Sequence, residues 1–500
     1  MSYFKNDPFE FNQGVLFPKN VFDLLNEDHE CYIYEDLINQ LDTTEVEKNY
    51  SVKGQHAYHP RLILGILIYS YSHGIFSSRE IEKKCGEDLG FMYVCHMSCP
   101  NFRVLSDFRK DNYEFFKLCF KQTVLLAKGA GMVNLGHVSL DGSKFGADTS
   151  KHKAMSYKRL KELEKQLAEE IEELIIKADR CDNEEDAEYG ELSGYEVSED
   201  LKIKEKRLEK ISEAKEALEK RELELNPGKE IEDKKQISFA DKEAMIMGKK
   251  GSFDYCYNGQ ISVDKSNQII VGEHLSLNAN DKREVDPALK EIKSTTGELP
   301  EKMSLDNGYM SGDNLEDLSE TGIDVYMATG KSEGDNNSSE EVKGKFKKSN
   351  FNYDVDSDTF QCPAGKILKL KSQPQNGKKI YQAEKEVCID CGFRAKCCKS
   401  NKEEARTIHT DDKEPLRQEM KDKMSQESSK EIYKERKVIV EPVFGQIKNG
   451  GFRRFHLRGY NKARGEFSLV CSVHNIKKIV KAIFREVVCL EAGKLVKNGC

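Results

Sequence analysis

The chain has 500 residues, 38% hydrophobic and 33% charged, with a formal net charge of −8, which suits two to four domains at roughly 150 residues each and excludes a chain that is basic throughout. Its longest apolar run, Leu62 to Tyr71, is well short of the ~18 residues that suggest a membrane span. The opening MSYFKNDPFEFNQG lacks a basic stretch followed by an apolar one, so no secretory signal is expected and a cytosolic setting fits.

Residues 1–55 are mixed and polar. In HPRLILGILIYSYSHGIFSSREIEKKC the pattern predicts an apolar helix, a turn at His73-Gly74, and a second helix starting at Ser77-Ser78 with Glu80 and Glu82 in its first turn, a capping-type signal. A further helix is predicted after Pro100-Asn101, where apolar residues recur at helical spacing. Residues 56–132 thus read as a helical module. With Arg79, Arg103 and Arg109 exposed it would suit a helix-turn-helix gripping DNA, and plain helix packing fits equally well.

In VSLDGSKFGADTSKH an apolar run is predicted to end as a strand on Asp141, with Gly142 behind it. Such a strand presents an acid at its exposed end, although Asp-Gly is also an ordinary turn pair. Leu160, Leu163, Leu167, Ile171 and Leu174, then Leu208, Ile211, Ala214 and Leu218, step by three and four residues on either side of a polar break around Cys181 to Gly194. That predicts an antiparallel coiled-coil hairpin, inserted as a spacer or dimer contact.

From Ile237 the texture becomes β-rich. FDYCYNGQISVDKSNQIIVGEHLSL predicts a hairpin with turn chemistry at Asn258-Gly259 and at Lys265 to Asn267. DKREVDPALKEIKSTTG follows as a helix, EKMSLDNGYM as a strand ending on Asp306, and NLEDLSETGIDVYMATG as a helix and a strand. Charge is segregated along the chain: Ile432 to Arg485 holds 13 Lys or Arg against 3 Asp or Glu, whereas Tyr157 to Glu232 is about ten charges net negative. A basic segment of this kind suits a polyanion partner or a solvated helix face.

Within the basic segment Glu441 falls on a predicted helix, enclosed by Lys448, Arg453, Arg454 and Arg458. Two strand-end aspartates and one glutamate among cations make the pattern of metal-dependent phosphoryl transfer. Three carboxylates can hold two divalent ions about 3.5–4 Å apart, one at the attacking and one at the leaving oxygen. Oxygen-only ligands suit Mg²⁺ or Mn²⁺, and the nearby cations would neutralise a DNA backbone. Separately, Cys362, Cys388, Cys391 and either Cys397 or Cys398 offer four thiolates with one C-x2-C pair, enough for a tetrahedral Zn²⁺; reduced free thiols are the alternative.

In these blocks the sequence resembles the DDE transposases of bacterial insertion sequences, in the branch numbered 1182. HPRLILGILIYSYSHGIFSSREIE with PNFRVLSDFRK resembles the family's helical N-terminal domain, SLDGSKF its first-Asp motif and YNGQISVDKSNQIIVG the strand pair that follows. SLDNGYMSGDNL resembles the second-Asp motif, and VEPVFGQIK with FRRFHLRG and HNIKKI the Glu block.

The resemblance implies an α/β fold: a ribonuclease H-like mixed-sheet core (residues 133–156, 233–335 and 411–500) with a helical N-terminal DNA-binding domain (1–132). It also implies a coiled-coil hairpin insertion (157–232) and a Cys-rich insertion (336–410). It implies that Asp141, Asp306 and Glu441 bind two Mg²⁺ or Mn²⁺ ions, and that Tyr433, Arg436 and Lys448 contact DNA, with Arg453, Arg454 and Arg458 adding cations. Arg436 lies one residue farther from the Glu than the family spacing, so Lys437 is an alternative for its slot. The Cys block, taken as Cys362, Cys388, Cys391 and Cys397, resembles one in the same branch.

The implied activity is transposition: binding of terminal inverted repeats, hydrolysis at the ends, and transfer of the 3′-OH to target DNA. The implied partners are double-stranded DNA and a second copy of the chain, in a nucleoid-associated bacterial setting without a membrane. A binding-only regulator and a nuclease that never joins are the rival expectations.

Overall fold

The computed structural model describes residues 20–50, 57–149, 154–189, 199–249, 252–329, 346–374, 377–398 and 404–498. They form two units, Met1–Ala130 with Ser472–Cys500 and Gly131–Cys471. The polar break expected around Cys181 to Gly194 is helical as far as Tyr189; the rest of it, and the stretch Ser150 to His152, lie outside the described residues.

The first unit is helical: α1 (Glu30–Asn39), α2 (Thr44–Glu47), α3 (Pro60–Ser72), α4 (Ser78–Glu87), α5 (Leu89–Val94), α6 (Phe102–Asp111) and α7 (Tyr113–Gly129). The apolar helix α3 is its centre, with every residue from Ile63 to Ser72 buried. It ends as predicted at His73-Gly74, where Gly74 takes φ +75°, a conformation that suits glycine because it lacks a Cβ. Asn101 caps α6, its side chain accepting the N–H groups of Arg103 and Val104 at 3.0 Å.

Two expectations need correction here. Ser77 stands at the N-cap of α4 without a side-chain cap bond; its neighbour Ser78 instead accepts from Arg109 at 2.5 Å. Arg109 itself is buried, also donating to the Tyr71 hydroxyl at 2.8 Å and the Phe76 carbonyl at 2.9 Å. It ties the α3–α4 turn together and is no surface cation, whereas Arg79 and Arg103 are exposed over the Phe102 ring.

The second unit is mixed α/β. Its main sheet comprises β1 (Val138–Gly146), β4 (Met245–Lys249), β5 (Ser252–Asp264), β6 (Ile270–Ser276), β7 (Lys302–Leu305) and β8 (Asp324–Met327), after two short strands, β2 (Ala154–Ser156) and β3 (Gln236–Ser238). The order is β4-β5-β1-β7-β8, with β6 beside the second half of β5. Cys256–Asp264 of β5 pairs antiparallel with the whole of β1, whereas β7 is parallel to β1 and β8 to β7. α10 (Val285–Thr296) joins β6 to β7, and α11 (Gly312–Ser319) joins β7 to β8.

β5 passes straight through Asn258-Gly259, which is therefore not the predicted turn; the hairpin turns after Asp264. Gly259 has a packing reason instead. A Cβ there would lie 2.7 Å from the Phe467 ring and 3.0 Å from Phe145. Phe145 is the hub of an aromatic core, its ring centroid 5.7–6.2 Å from those of Phe444, Phe452, Phe455 and Phe467.

Two modules leave this sheet. α8 (Tyr157–Tyr189) and α9 (Glu199–Leu225) pack on Leu160, Leu167, Ile211, Ala214 and Leu218, and Lys215–Glu164 and Lys204–Glu170 pair between the helices at 2.7 Å. β2 pairs with β3 at the base of this hairpin.

The second module is an antiparallel sheet of β9 (Asn352–Asp354), β10 (Thr359–Gln361), β11 (Ile367–Ser372), β12 (Lys378–Gln382) and β13 (Thr407–Asp411). Its own core holds Phe351, Tyr353, Phe360, Leu368, Tyr381 and Ile408. α12 (Lys385–Ile389) and α13 (Arg394–Cys397) fall between β12 and β13. The chain then continues through α14 (Glu414–Ser425), α15 (Glu427–Lys434), α16 (Arg436–Ile439), α17 (Glu441–Asn449) and α18 (Tyr460–Phe484). A hairpin of β14 (Val488–Glu491) and β15 (Lys494–Lys497) follows, in the first unit. Among the described residues no helix is long and apolar enough to cross a membrane.

In the first unit, His73 Nε2 lies 3.2 Å from Glu30 Oε1. Burial pulls the His73 pKa down, but the bond to Glu30 and its charge, with the Tyr69 carbonyl, carry it above its ordinary 6.5. Glu30, hydrogen-bonded to His73, is held below its ordinary 4.5. The stability from the raised histidine is present below pH 6.5 and lost as pH rises through its folded value. That from the lowered glutamate is present above pH 4.5 and lost below. Comparative thermal unfolding of wild type and Glu30→Gln should therefore show the largest stability difference near pH 5.5, shrinking towards pH 8, within roughly 1 kcal/mol for a partly exposed pair.

Candidate active site

The parallel pairing of β1 with β7 runs Val138↔Met303, Ser139↔Ser304, Leu140↔Leu305, and β7 stops there. The next residues on the two chains are Asp141 and Asp306. The strand β1 does not end on Asp141 as predicted: it continues to Gly146 against β5, past the end of its pairing with β7. Asp141 ends only the doubly flanked part, so its side chain emerges where the sheet loses one neighbour. Beneath it Val138, Leu140, Met303 and Leu305 are buried, and the Ser139 and Ser304 hydroxyls bond at 2.5 Å.

Glu441 arrives through a broken helical run. Glu435 lies between α15 and α16 and accepts from Lys265 at 2.7 Å, while His137 bridges it at 3.1 Å to Ser304 at 3.0 Å on β7. Pro442, in the first turn of α17, has no N–H to continue α16. The break falls between Arg436 and Glu441, so five residues of separation still bring both to one place.

There the guanidinium of Arg436 meets all three acids: 2.8 Å to Asp141, 3.4 Å to Glu441 and 4.0 Å to Asp306. Arg436 is 7% exposed, whereas Lys437, the alternative for that position, is exposed. Tyr433 is half-buried nearby; burial raises its hydroxyl pKa, with Arg436 opposing and Asp306, Asp141 and Glu441 adding.

One guanidinium does not balance three carboxylates. The Asp141 carboxyl is pushed up to about 6, by burial first, with Arg436 opposing and Asp306 and Asp281 adding. Among the described residues no three His, Cys, Asp or Glu side chains stand as a ready-made ligand set, the Cys block included; the three carboxylates converge on Arg436. Their chemistry nonetheless fits a hard divalent cation: oxygen donors only, excess negative charge, and two of the three groups partly open, Asp306 at 43% and Glu441 at 48%.

The other sequence candidates surround this centre. Lys448 Nζ bonds the Ser143 hydroxyl on β1 and lies 5.0 Å from the Phe145 ring centroid. In the segment after α17, Phe452, Phe455 and Leu457 are buried while Arg453, Arg454 and Arg458 are exposed. That segment is anchored to the end of β1: Gly146 N–H donates to the Arg453 carbonyl at 3.1 Å and Phe455 N–H to the Gly146 carbonyl at 2.8 Å. Arg458 pairs with Asp148 at 2.8 Å.

The Cys residues stand apart, on the small antiparallel sheet. Cys362, Cys388 and Cys397 pack against its core, and Cys391 lines a hollow with Ala364 and Lys366. The Cys362 sulfur accepts the Lys366 N–H at 3.3 Å. The Cys397 thiol is pushed up to about 11, by burial first, with the neighbouring Cys398, Cys388 and Cys362 contributing.

Asp281, in the loop between β6 and α10, was not singled out by sequence reasoning. Its Oδ1 accepts from Asn258 Nδ2 at 2.8 Å and Gln260 Nε2 at 2.6 Å. The available signal was the pair of glycines in LDG and LDNG, one or two residues after each aspartate.

Residues 361–480 match a family model described as "Transposase DDE domain", and residues 19–111 match one described as "Transposase domain (DUF772)". The first match contains Glu441, Arg436 and the Cys block. Together the two matches support a DDE transposase family. Among solved structures, one entitled "Cryo-EM structure of piggyBac transposase synaptic complex with hairpin DNA (SNHP)" is similar at 9% identity and a TM-score of 0.32, covering 90% of this chain and 74% of that one. No curated protein matches.

Replacing Arg436 by Met would leave Asp141 beside two carboxylates with no shared cation. The metal-free variant should lose about 3 kcal/mol at pH 7, as for a broken buried pair. It should recover part of this as pH falls, because acids with raised folded pKa values bind protons preferentially in the folded state. Urea unfolding of wild type and R436M in EDTA at pH 7 and pH 5 measures both.

Proposed function

We propose that the chain is a DDE transposase of the insertion-sequence 1182 branch, built on a ribonuclease H-like core. It binds the terminal inverted repeats of its element, cleaves them by metal-dependent hydrolysis and transfers the 3′-OH ends to target DNA. The observation that carries this reading is the convergence of Asp141, Asp306 and Glu441 on the buried Arg436 guanidinium. The sheet order, with β4, β5 and β6 joined by antiparallel pairings on one side of β1 and the parallel strands β7 and β8 on the other, supports the ribonuclease H-like core.

In this reading Asp141, Asp306 and Glu441 hold two Mg²⁺ or Mn²⁺ ions, which stabilise the charge on the attacking and leaving oxygens when bound. In cleavage a water oxygen attacks phosphorus in line, the bond to the 3′-oxygen breaks, and that oxygen takes up a proton. In joining, the freed 3′-OH attacks a target phosphodiester and releases the target's 3′-oxygen. Arg436, Tyr433 and Lys448 orient the scissile phosphate. The outward Arg453, Arg454 and Arg458 neutralise backbone phosphates nearby, so binding weakens steeply with salt.

The helices of residues 1–132 bind the element's ends, and two copies of the chain hold two ends together. Cys362, Cys388, Cys391 and Cys397 hold a structural Zn²⁺. The fit rests on the placement of Cys362, Cys388 and Cys397 on one small core, with the Cys362 sulfur already accepting a backbone N–H.

With labelled DNA flanking the gene, purified protein and Mg²⁺, wild type should nick at the element's ends and join them to target. Asp306→Ala should bind the same DNA with cleavage lowered at least 100-fold. Binding without cleavage by wild type in either Mg²⁺ or Mn²⁺ would favour a binding-only regulator. Elemental analysis should find about one zinc per chain, lost in Cys391→Ser together with several degrees of melting temperature; a zinc-free wild type would return these residues to free thiols.

A further inference from the structure

We propose that Asp281 is a fourth carboxylate of the centre, an oxygen ligand for the divalent ions that Asp141, Asp306 and Glu441 bind; this rests on the function proposed above. The carboxylate is held from one side. Asn258 and Gln260, both fully buried on β5, donate to its Oδ1 at 2.8 and 2.6 Å, and Gln260 stands directly opposite Gly142, the residue after Asp141. Gln260 in turn accepts from the buried hydroxyl of Tyr309, three residues beyond Asp306. One hydrogen-bonded chain thus ties Asp281 to the sheet beside Asp141 and to the turn after Asp306.

The glycines of the two aspartate motifs mark where the carboxylate sits. A Cβ on Gly142 would lie 2.8 Å from Asp281 Oδ1 and 2.3 Å from Gln260 Nε2, and one on Gly308 would lie 3.3 Å from Asp281 Oδ2 and 2.8 Å from Asp306 Oδ1. Neither residue has a positive φ that would itself demand glycine. Both therefore serve close approach: they admit a third aspartate between Asp141, within β1, and Asp306, at the end of β7.

Two further observations point to a cation there. The Asn258 Oδ1 is buried with no hydrogen-bond partner. Its amide group is committed to Asp281 and to the Asn278 carbonyl at 3.1 Å; flipping it would set oxygen against both acceptors. A buried polar atom left unpaired is costly, so the orientation is maintained for the carboxylate. Arg436, more than nine-tenths buried with an unpartnered Nε, aims its guanidinium among the other three acids. Among the described residues no cation forms an ion pair with Asp281; the nearest influence of that sign is Lys144, whose ammonium donates to the Ala279 carbonyl at 2.7 Å and attracts the carboxylate without bonding it. A carboxylate set by neutral amides beside like charges, with its Oδ2 turned towards Gly308 and Asp306, has the chemistry of a metal ligand. A solvated loop charge needs none of that support.

The test is Mn²⁺ binding to the metal-free full-length protein without DNA, read from the loss of the free-ion electron paramagnetic resonance signal. Asp281→Asn keeps the size of the side chain and an oxygen to face Asn258 and Gln260. It should bind one ion fewer than wild type, or bind with at least tenfold weaker affinity, at an unchanged melting temperature. Asn258→Ala, which keeps the carboxylate and removes one donor holding it, should weaken binding by a smaller factor and serves if Asp281→Asn misfolds. Unaltered stoichiometry and affinity in both variants, with binding reduced in Asp306→Ala, would overturn the role of Asp281 and leave the three-carboxylate reading standing. Absence of any Mn²⁺ binding by wild type would overturn both.

Discussion

The parallel register of Leu140 with Leu305 is the constraint on which the centre depends. Side chains alternate faces along a strand, so a slip of one residue would turn Asp141 to the opposite face and bury a charge where Leu140 now packs. The register is held by apolar residues below the acids and by the Ser139–Ser304–His137–Glu435 hydrogen-bonded chain. That chain also reaches the residue preceding Arg436. The same few contacts therefore align Asp141 with Asp306 and deliver the cation they share.

Glutamate and arginine come to this place by a different device. A continuous helix would set Arg436 and Glu441, five residues apart, on different faces. Pro442 interrupts the run between α16 and α17, and the buried Ile439, Val440, Val443 and Phe444 fix the pieces separately. The Phe145 cluster then links α17 and the arginine-bearing segment to the far end of β1. A single strand thus carries Asp141 near its middle and, at its end, the anchor for the outward cations.

The two inserted modules have hydrophobic clusters of their own and leave the strand register undisturbed. The coiled-coil hairpin is closed at its base by β2 and β3. The Cys-bearing sheet occupies the long stretch between β8 and α14. Each carries backbone pairing of its own, β2 with β3 in one and five strands in the other, which is why two long acidic helices can sit inside an α/β unit.

Much of this was readable in the chain itself. Periodicity disclosed α3, α8, α9 and α10, and the apolar runs ending on acids disclosed β1 and β7, because spacings of two to four residues are local properties of a helix or strand. The misreadings share one cause. Arg109 reads as a surface cation and Asn258-Gly259 as turn chemistry, because a missing Cβ or a long polar side chain looks the same in sequence whether it meets solvent or another segment. Gly259 makes room for Phe467, and Gly142 for Asp281; these partners lie well over a hundred residues away. The sequence by itself determined which elements form and which residue types they carry. Only the tertiary structure decided which acids, amides and glycines share a place, because that depends on packing between segments whose distance along the chain carries no information about their distance in space.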